Sequence, residues 1–385
     1  MQVVILAAGK GTRLYPLKRP KSLIPIANKP ILEHACEQLD GVAEEVIIVV
    51  GHEKTTIQEH MEKIKNRFPF SISFVEQKEQ AGTYDALLQA RSLLKERFVA
   101  MNGDDLYSKA DILSSLKNNL CILAKEVSDP PRFGILEVVN GMLKKIIEKP
   151  SSPPSTLANT GLYVLDKDVF SEPKKSERGE LELTDAVNAL AQKKKISVIQ
   201  SEFWMPIGYP WDLLEANEVF LKNIKSSVHG EIEKNAVLKN SVSVGKGTLI
   251  KSGAYIEGPV VIGENCIIGP NCFIRPFTSI GNNCRIGNAV EIKNCMIGDN
   301  VSIGHLSYFG DSIFGDNINI GAGTIAANLR HDQQTIKVNV QGKSVDTGRR
   351  KFGVVIGDGV HTGIHTSLYP GRLLGRNTLP GEIIK

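Results

Sequence analysis

The sequence predicts two folds in succession: an α/β domain with a Rossmann-like, mostly parallel sheet, then a parallel β-helix of hexapeptide repeats. Three observations carry this reading. Short Val/Ile-rich runs alternate with helical patterns up to about residue 222. From Ile232 a branched apolar residue returns every six positions. The 35 glycines concentrate in the second half, a shift in composition that marks a change of architecture. A chain of 385 residues is also too long for one ordinary core, and the domains are expected at 1–222 and 223–385.

In the first half, "QVVILAAG", "EEVIIVVG", "SISFVEQ" and "RFVAMNGD" read as buried strands, because each is a short continuous apolar run. "PILEHACEQL" and "TYDALLQARSLLKE" between them read as helices. Ligands of such sheets sit at the carboxyl ends of the strands, so the loops that follow the strands are the candidate site.

The second half obeys another rule. Ile232, Leu238, Val244, Ile250, Ile256, Ile262, Ile268, Ile274, Ile280, Ile286 and Ile292 are spaced six apart without a gap. A helix needs a period near 3.6 and an amphipathic strand a period of 2. Six is the step of a parallel β-helix, with one hexapeptide for each flat side of a triangular coil. "IGEN", "IGPN", "IGNN" and "IGDN" place Gly or Asn at the corners, where left-handed angles are easiest. Cys266, Cys272 and Cys284 obey the same six-residue rule, and no CxxC pair is present, so the six cysteines read as reduced core residues.

After Ile292 the register slips, and Ile297, Ile303 and Phe309 resume the count one position early. His305 sits beside this break, off the inward ladder. From the residues alone it is either a surface histidine at a turn or a presented general base. Between Asn328 and Gly353 the repeat vanishes, which predicts a loop inserted from one corner of the coil. Arg349, Arg350 and Lys351 within it either face phosphates or form a solvated charged run. His361 and His365 suggest no metal site.

A net charge of +4 leaves no basic excess for a nucleic-acid binder. No apolar run is long enough to span a membrane, and "MQVVILAAGKGTR" lacks the basic start of a secretory signal. A cytoplasmic location is expected.

"LAAGKGTRLYPLKRPKSLIPI" follows the first strand directly. A glycine-rich turn there exposes backbone N–H groups, and Arg13 and Lys21 add charge for a phosphate. Walker A is absent, and a dinucleotide fingerprint would need Gly where Leu14 stands. A bland glycine turn with solvated charges stays open on these residues alone. G-x-G-T-R with P-K beyond it resembles the signature of sugar-1-phosphate nucleotidylyltransferases. "EQKEQAGTYDA", "NGDD", "RFGI", "IIEKP", "ANTGLY" and "RGELELTDA" follow in that family's order. With "HLSYFGD" on the coil, nearly the whole chain resembles GlmU-type bifunctional enzymes of archaeal type, which join nucleotidylyl transfer to acetyl transfer on a left-handed β-helix.

The resemblance implies roles residue by residue. Gly9, Gly11, Thr12 and Arg13 would wrap the nucleotide phosphates, and Lys21 would hold the α-phosphate and the attacking sugar phosphate. Gln77, Gln80, Gly82 and Thr83 would read a pyrimidine, hence UTP or dTTP. Asp104 would hold Mg²⁺, and Gly134, Glu148 and Asn159 would bind the sugar. On the coil, His305 would be the general base, with Arg275, Lys293, Tyr308 and Asn319 near the sugar phosphate. Asn328 and Lys337 would lie near the developing tetrahedral centre, with acetyl-CoA as co-substrate. A homotrimer is implied by analogy with other hexapeptide transferases.

Three departures from the family pattern stand out. Pro206 in "FWMPIGYPWD" occupies the position of a second metal ligand, which Asp212 or Glu202 would have to replace, or Mg²⁺ would lean on Asp104, Asp105, phosphates and water. Tyr84 replaces a common glycine and would crowd the base pocket. The chain stops soon after the coil resumes, so CoA binding is either looser or completed by a neighbouring subunit. Two rival readings follow: a single-activity nucleotidylyltransferase with a structural coil, or a regulatory subunit with a decayed metal site.

Overall fold

Gln2–Leu6 form strand β1, and all five residues are buried because strands flank them on both sides. The computed structural model that shows this describes residues 1–170 and 179–385. Two compact units divide the chain. The first gathers Met1–Lys10, Pro20–Leu23 and Ile31–Pro206, and the second Gly11–Arg19, Ile24–Pro30 and Ile207–Lys385.

In the first unit, β1, β2 (Glu45–Val50), β3 (Ser71–Glu76) and β4 (Arg97–Asn102) pair in parallel, as their apolar runs predict. Helices α1 (Ile31–Gln38), α2 (Lys54–Ile64) and α3 (Thr83–Ala90) lie between them in sequence. The chain continues through β5 (Asp105–Tyr107), α4 (Lys109–Leu116), β6 (Cys121–Glu126), β7 (Gly134–Val139), β8 (Met142–Glu148), β9 (Leu157–Asp166), α5 (Leu183–Ala191), β10 (Ser197–Gln200) and β11 (Trp204–Pro206). The main sheet has the order β3-β2-β1-β4-β9-β6-β10-β8-β7.

The parallel character expected of the sheet belongs to the β3-β2-β1-β4 half and to the β6–β10 pair. Strand β9 runs against both of its neighbours β4 and β6. Strands β7 and β8 form a hairpin closed by Asn140 and Gly141, both at positive φ, the two-residue turn that suits antiparallel strands. Asp111 on α4 anchors the approach to β11: its carboxylate accepts from Ser201 Oγ, Glu202 N and Phe203 N at 2.9, 2.8 and 3.0 Å.

In the second unit the coil has three faces of eight, six and eight parallel strands. The first face runs from Ser227–Val228 to Arg372–Leu374, the second from Glu231–Ile232 to Asn319–Ile320, and the third from Val237–Lys239 to Ile383–Ile384. Ile256 pairs with Ile274 and Ile262 with Ile280, one turn of 18 residues on. From Val244 to Ile292 every ladder residue is at most 1 % exposed; each such burial stabilises by about 1.5–3 kcal/mol. Asn265, Asn271, Asn283 and Asn300 take left-handed angles at the corners. All six cysteines are buried and free, and burial pushes the Cys36 and Cys295 thiols up to about 12.

The coil corrects the reading of the slip. Ile280 pairs with Ile297, Ile292 with Phe309, Ile297 with Phe314 and Phe309 with Ala326, so these turns hold 17 residues. Two five-residue steps, 292 to 297 and 309 to 314, produce them, and both fall at the corner after the third face. His305 instead ends the second-face strand Ser302–His305, opposite Asn288. The shortened corner therefore is not what presents it. The inserted segment leaves from the shortened corner too, and it is more than a loop: Lys337–Val340 and Lys343–Asp346 form a hairpin with Ile336, Val338 and Val340 buried.

Candidate active sites

In the first unit, five of the residues expected around a nucleotide, Gly9, Gln77, Gln80, Gly82 and Thr83, follow strands β1 and β3. Gly9 follows β1, while Gly11 (left-handed, φ 63°), Thr12 and Arg13 belong to the second unit, where the Arg13 guanidinium lies 5.4 Å from the Tyr209 ring centre. The Gln80 amide donates to the Ala8 carbonyl at 2.6 Å, fixing the segment after β3 beside the β1 loop. Gln77 is buried and donates to the Gly82 carbonyl and to Asp85 Oδ2 at 3.0 and 2.8 Å. Gly82 has φ 120°, and a Cβ there would meet the Leu181 carbonyl at 2.3 Å, so only glycine fits this turn into α3. The Thr83 hydroxyl accepts from Leu183 N at 2.9 Å.

The three sugar candidates converge. Glu148 pairs with Gly134 across the β7–β8 hairpin, and a Cβ on Gly134 would stand 2.8 Å from Glu148 Oε2 and 3.7 Å from Asn159 Cβ. The Asn159 amide donates to Tyr163 Oη at 2.6 Å, and its Oδ1 accepts from Gly161 N at 2.9 Å. This makes a small polar cradle on the end of the sheet.

Lys21 Nζ lies 2.5 Å from Asp104 Oδ2, an ion pair with one carboxylate oxygen engaged. Asp105 beside it is buried, and its Oδ2 accepts from Asn102 and the Trp204 indole, both at 3.3 Å. Burial, and then the Asp104 charge, push its carboxyl up to about 7. Pro206 stands opposite Asp105 in the β5–β11 pair and contributes no side-chain ligand. Among the described residues no three His, Cys, Asp or Glu side chains gather to hold a metal ion. Two adjacent carboxylates nevertheless suit Mg²⁺, which takes one or two carboxylates together with substrate phosphates and water.

Two sequence expectations fail here. The Asp212 carboxylate accepts from Gly208 N and Tyr209 N, both at 2.8 Å, in the capping box of α6 (Pro210–Leu221), so it serves the helix start. Tyr84 is 1 % exposed, with its hydroxyl 3.3 Å from the Val169 carbonyl and its ring near Phe170. It packs into the core.

On the coil, Tyr308 lies on the third face and Lys293 ends the strand beneath it, opposite Gly310. A Cβ on Gly310 would meet Asn328 Nδ2 at 2.5 Å and Tyr308 Oη at 2.6 Å, so both groups meet above its bare backbone. Burial, then the Asp311 carboxylate, hold the Tyr308 hydroxyl above its ordinary pKa and keep it a donor. Arg275 bonds Glu291 Oε1 at 2.9 Å on the same face. His305 is exposed at the corner leading into that face, and its carbonyl accepts from Ser307 Oγ and Gly323 N at 2.8 and 3.2 Å. Its backbone is thus fixed while the imidazole faces outward.

Asn319 projects from the second face, one turn beyond Ser302. Lys337 starts the inserted hairpin and lines a cleft of about 530 Å³ with Ile325, Leu329, Arg330, Tyr369 and Arg372. Arg349, Arg350 and Lys351 are not part of that lining; Arg350 instead bonds the Gln333 side chain. Sequence reasoning passed over Asp311, whose carboxylate accepts from Asn294 and Asn328. The available signal was the 17-residue spacing of 294, 311 and 328.

An α/β sheet with a basic glycine turn at its strand ends defines the class, a nucleotide-handling transferase. The Nucleotidyl transferase family model matches residues 2–223, and the GMPPB C-terminal domain model matches residues 256–374. The chain is 43 % identical over 390 residues to the bifunctional protein GlmU of Methanococcus maripaludis, covering 99 % of this chain and 93 % of that protein. It is 40 % identical over 400 residues to a bifunctional sugar-1-phosphate nucleotidylyltransferase/acetyltransferase of Sulfurisphaera tokodaii, covering 100 % and 97 %. A solved putative glucose-1-phosphate thymidylyltransferase of Bacillus anthracis matches 59 % of this chain and 98 % of its own at 29 % identity, with a TM-score of 0.53. The chain belongs to the archaeal-type GlmU-like family of bifunctional sugar-1-phosphate nucleotidylyltransferase/acetyltransferases. It is accordingly a transferase of nucleotide-sugar biosynthesis with two activities. No helix among the described residues is long and apolar enough to cross a membrane.

Proposed function

We propose that the chain N-acetylates an amino-sugar 1-phosphate, glucosamine 1-phosphate or a close analogue, with acetyl-CoA. It then transfers a nucleotidyl group from UTP or dTTP to the sugar 1-phosphate (N-acetylglucosamine 1-phosphate or glucose 1-phosphate) and releases pyrophosphate. Residues 1–222 carry nucleotidyl transfer and 223–385 acetyl transfer. The observation that favours two activities over a structural coil is the meeting of Tyr308 Oη and Asn328 Nδ2 above Gly310.

In acetyl transfer His305 takes a proton from the amine nitrogen as that nitrogen bonds the thioester carbonyl carbon. The C–S bond then breaks, and the thiolate leaves and is protonated. Arg275, Lys293, Tyr308 and Asn319 hold the sugar phosphate, and the cleft with Lys337, Arg330 and Arg372 suits the phosphates of CoA above an apolar floor. In nucleotidyl transfer the sugar-phosphate oxygen attacks the α-phosphorus in line and pyrophosphate departs. Gly9, Gly11, Thr12 and Arg13 hold the phosphates, Lys21 brings the two reacting phosphates together, Gln77, Gln80, Gly82 and Thr83 read the base, and Gly134, Glu148 and Asn159 orient the sugar. Mg²⁺ held at Asp104 supplies positive charge at the triphosphate when bound. Buried, unpaired cysteines support a cytoplasmic setting, and exposed Ile325, Ile364 and Leu379 on the coil support a homotrimer.

The test measures thiol release from acetyl-CoA with glucosamine 1-phosphate, and pyrophosphate release from UTP or dTTP with sugar 1-phosphates, on wild type, His305→Ala and Lys21→Ala. Loss of the base should cut thiol release by about 10²–10⁴ with pyrophosphate release retained, and Lys21→Ala should do the reverse. Wild type without pyrophosphate release for any pair would favour a decayed nucleotidyl site. His305→Ala with unchanged acetylation would sink the acetyl assignment.

A further inference from the structure

In "GTRLYPLKRP" the last cation is already engaged. The Arg19 guanidinium donates to Asp316 Oδ2 from Nε and Nη2, at 3.0 and 2.6 Å, and to Asp299 Oδ2 from Nη2 at 2.8 Å. The Lys18 backbone N–H donates to Asp358 Oδ2 at 2.7 Å. These three carboxylates form one column along the coil. Asp299 Oδ1 accepts from Asn282 N, Asp316 Oδ1 from Asp299 N and Asp358 Oδ1 from Asp316 N, at 2.8, 2.8 and 3.1 Å. Each aspartate thus spends one oxygen on the coil's own backbone and turns the other to the Lys18–Arg19 segment.

The coil is also shaped for the residues just before that segment. A Cβ on Gly357 would stand 2.7 Å from the Pro16 carbonyl oxygen, and one on Gly375, a turn further on, 2.3 Å from Tyr15 Oη. Leu17 N donates to the Leu14 carbonyl at 3.1 Å and Leu14 N to the Gly11 carbonyl at 2.9 Å, so the seating passes turn by turn back to Thr12 and Arg13. Arg13 itself rests 5.4 Å from the Tyr209 ring centre, and that ring stacks on Trp211 at 4.6 Å. Gly11–Arg19, Tyr209, Trp211 and the coil all belong to the second unit. A guanidinium bridging two carboxylates is a charge-assisted, directional tie, and its charge is matched before any phosphate arrives.

We propose that Arg19 is a positioning residue for nucleotidyl transfer: gripped by Asp316 and Asp299 of the coil, it holds the Gly11–Arg13 turn in the shape that meets the nucleotide's phosphates. This rests on the nucleotidyl-transfer reading above. It gives the coil a part in that reaction, apart from the acetyl transfer it carries.

The experiment compares the full chain with Arg19→Gln, Asp316→Asn and the two together. Asp316→Asn keeps an oxygen for Asp299 N and turns an amide N–H toward the guanidinium, which can only donate; the grip is lost and the column kept. Each single variant should lower the kcat of pyrophosphate release about tenfold, with the KM for the sugar 1-phosphate within about twofold. The double variant should be no slower than the slower single one, because both changes remove the same contact. Thiol release from acetyl-CoA and the thermal unfolding midpoint should stay close to wild type.

An unchanged kcat in Arg19→Gln overturns the proposal. So does a loss in Arg19→Gln that Asp316→Asn does not share, since Arg19 would then act on a phosphate directly. Losses that multiply in the double variant would make the two residues independent and overturn it as well. A collapsed midpoint with both activities falling together would reduce the ion pair to a staple of the fold, again against the proposal. Wild type that releases no pyrophosphate with any pair of substrates overturns the nucleotidyl-transfer reading itself, and this inference with it.

Discussion

Gly310 has room for no side chain, because the Tyr308 hydroxyl and the Asn328 amide fill the space above it. Gly310→Ala should displace both flexible ends and lower acetyl-transfer kcat by about tenfold. The unfolding midpoint should hardly move, since the residue pairs in a ladder that alanine also supports; thiol-release kinetics and calorimetry check the two halves of this expectation. A large loss of stability with acetylation intact would contradict it. At this scale the sequence was legible as far as neighbours go, since its motifs single out Lys21 with Asp104 and Tyr308 with Asn328, pairs that stand together. It was illegible where side-chain direction decided. Tyr84 reads as a wall of the base pocket until its ring is seen buried near Phe170. Asp212 reads as a spare ligand until its carboxylate is seen capping a helix.

Elements supply the stiffness that these side chains need. Ile286 is fully buried in the ladder and stacks between Ile268 and Ile303. Ile286→Ala should cost about 2–5 kcal/mol in chemical unfolding, and a smaller cost would mean that the coil collapses around the gap. Helix α1 contributes a pH-dependent tie. Burial opposes the Glu33 charge, but the hydrogen bond and charge of His60, then those of Arg67, hold its carboxyl below its ordinary value of 4.5. A depressed folded pKa gives stability that is complete above the unfolded value and is lost as pH falls through the folded one. Wild type should therefore exceed Glu33→Gln in urea unfolding at neutral pH, with the gap closing only below pH 4.5. A gap that persists undiminished in acid would contradict the ion-pair account.

The same scale explains what the sequence showed and hid of the coil. Eleven apolar residues at one spacing betray the faces, since each inward position has a single allowed chemistry. One short step was visible at Ile297; the second, at Phe314, was passed over because only Ile320 and Ala326 follow at six-residue steps before the inserted segment, and alanine is a weak marker of an inward position. "IKVNV" alternates as a strand should, yet two turns of charged residues around it mask the hairpin.

For the whole molecule, the two proposed activities use different residues and should respond separately to metal removal. Chelation should abolish pyrophosphate release and leave thiol release unchanged, because the acetyl-transfer residues include no metal ligand. Equal loss of both activities would contradict the separation. The order of the two half-reactions is the central claim, and one time course tests it directly. The full chain with glucosamine 1-phosphate, acetyl-CoA, UTP and Mg²⁺ is followed for thiol and pyrophosphate together. The account predicts that thiol release comes first and that pyrophosphate release accelerates as acetylated sugar phosphate accumulates. Pyrophosphate release at full rate without acetyl-CoA, with no thiol formed when it is present, would contradict it.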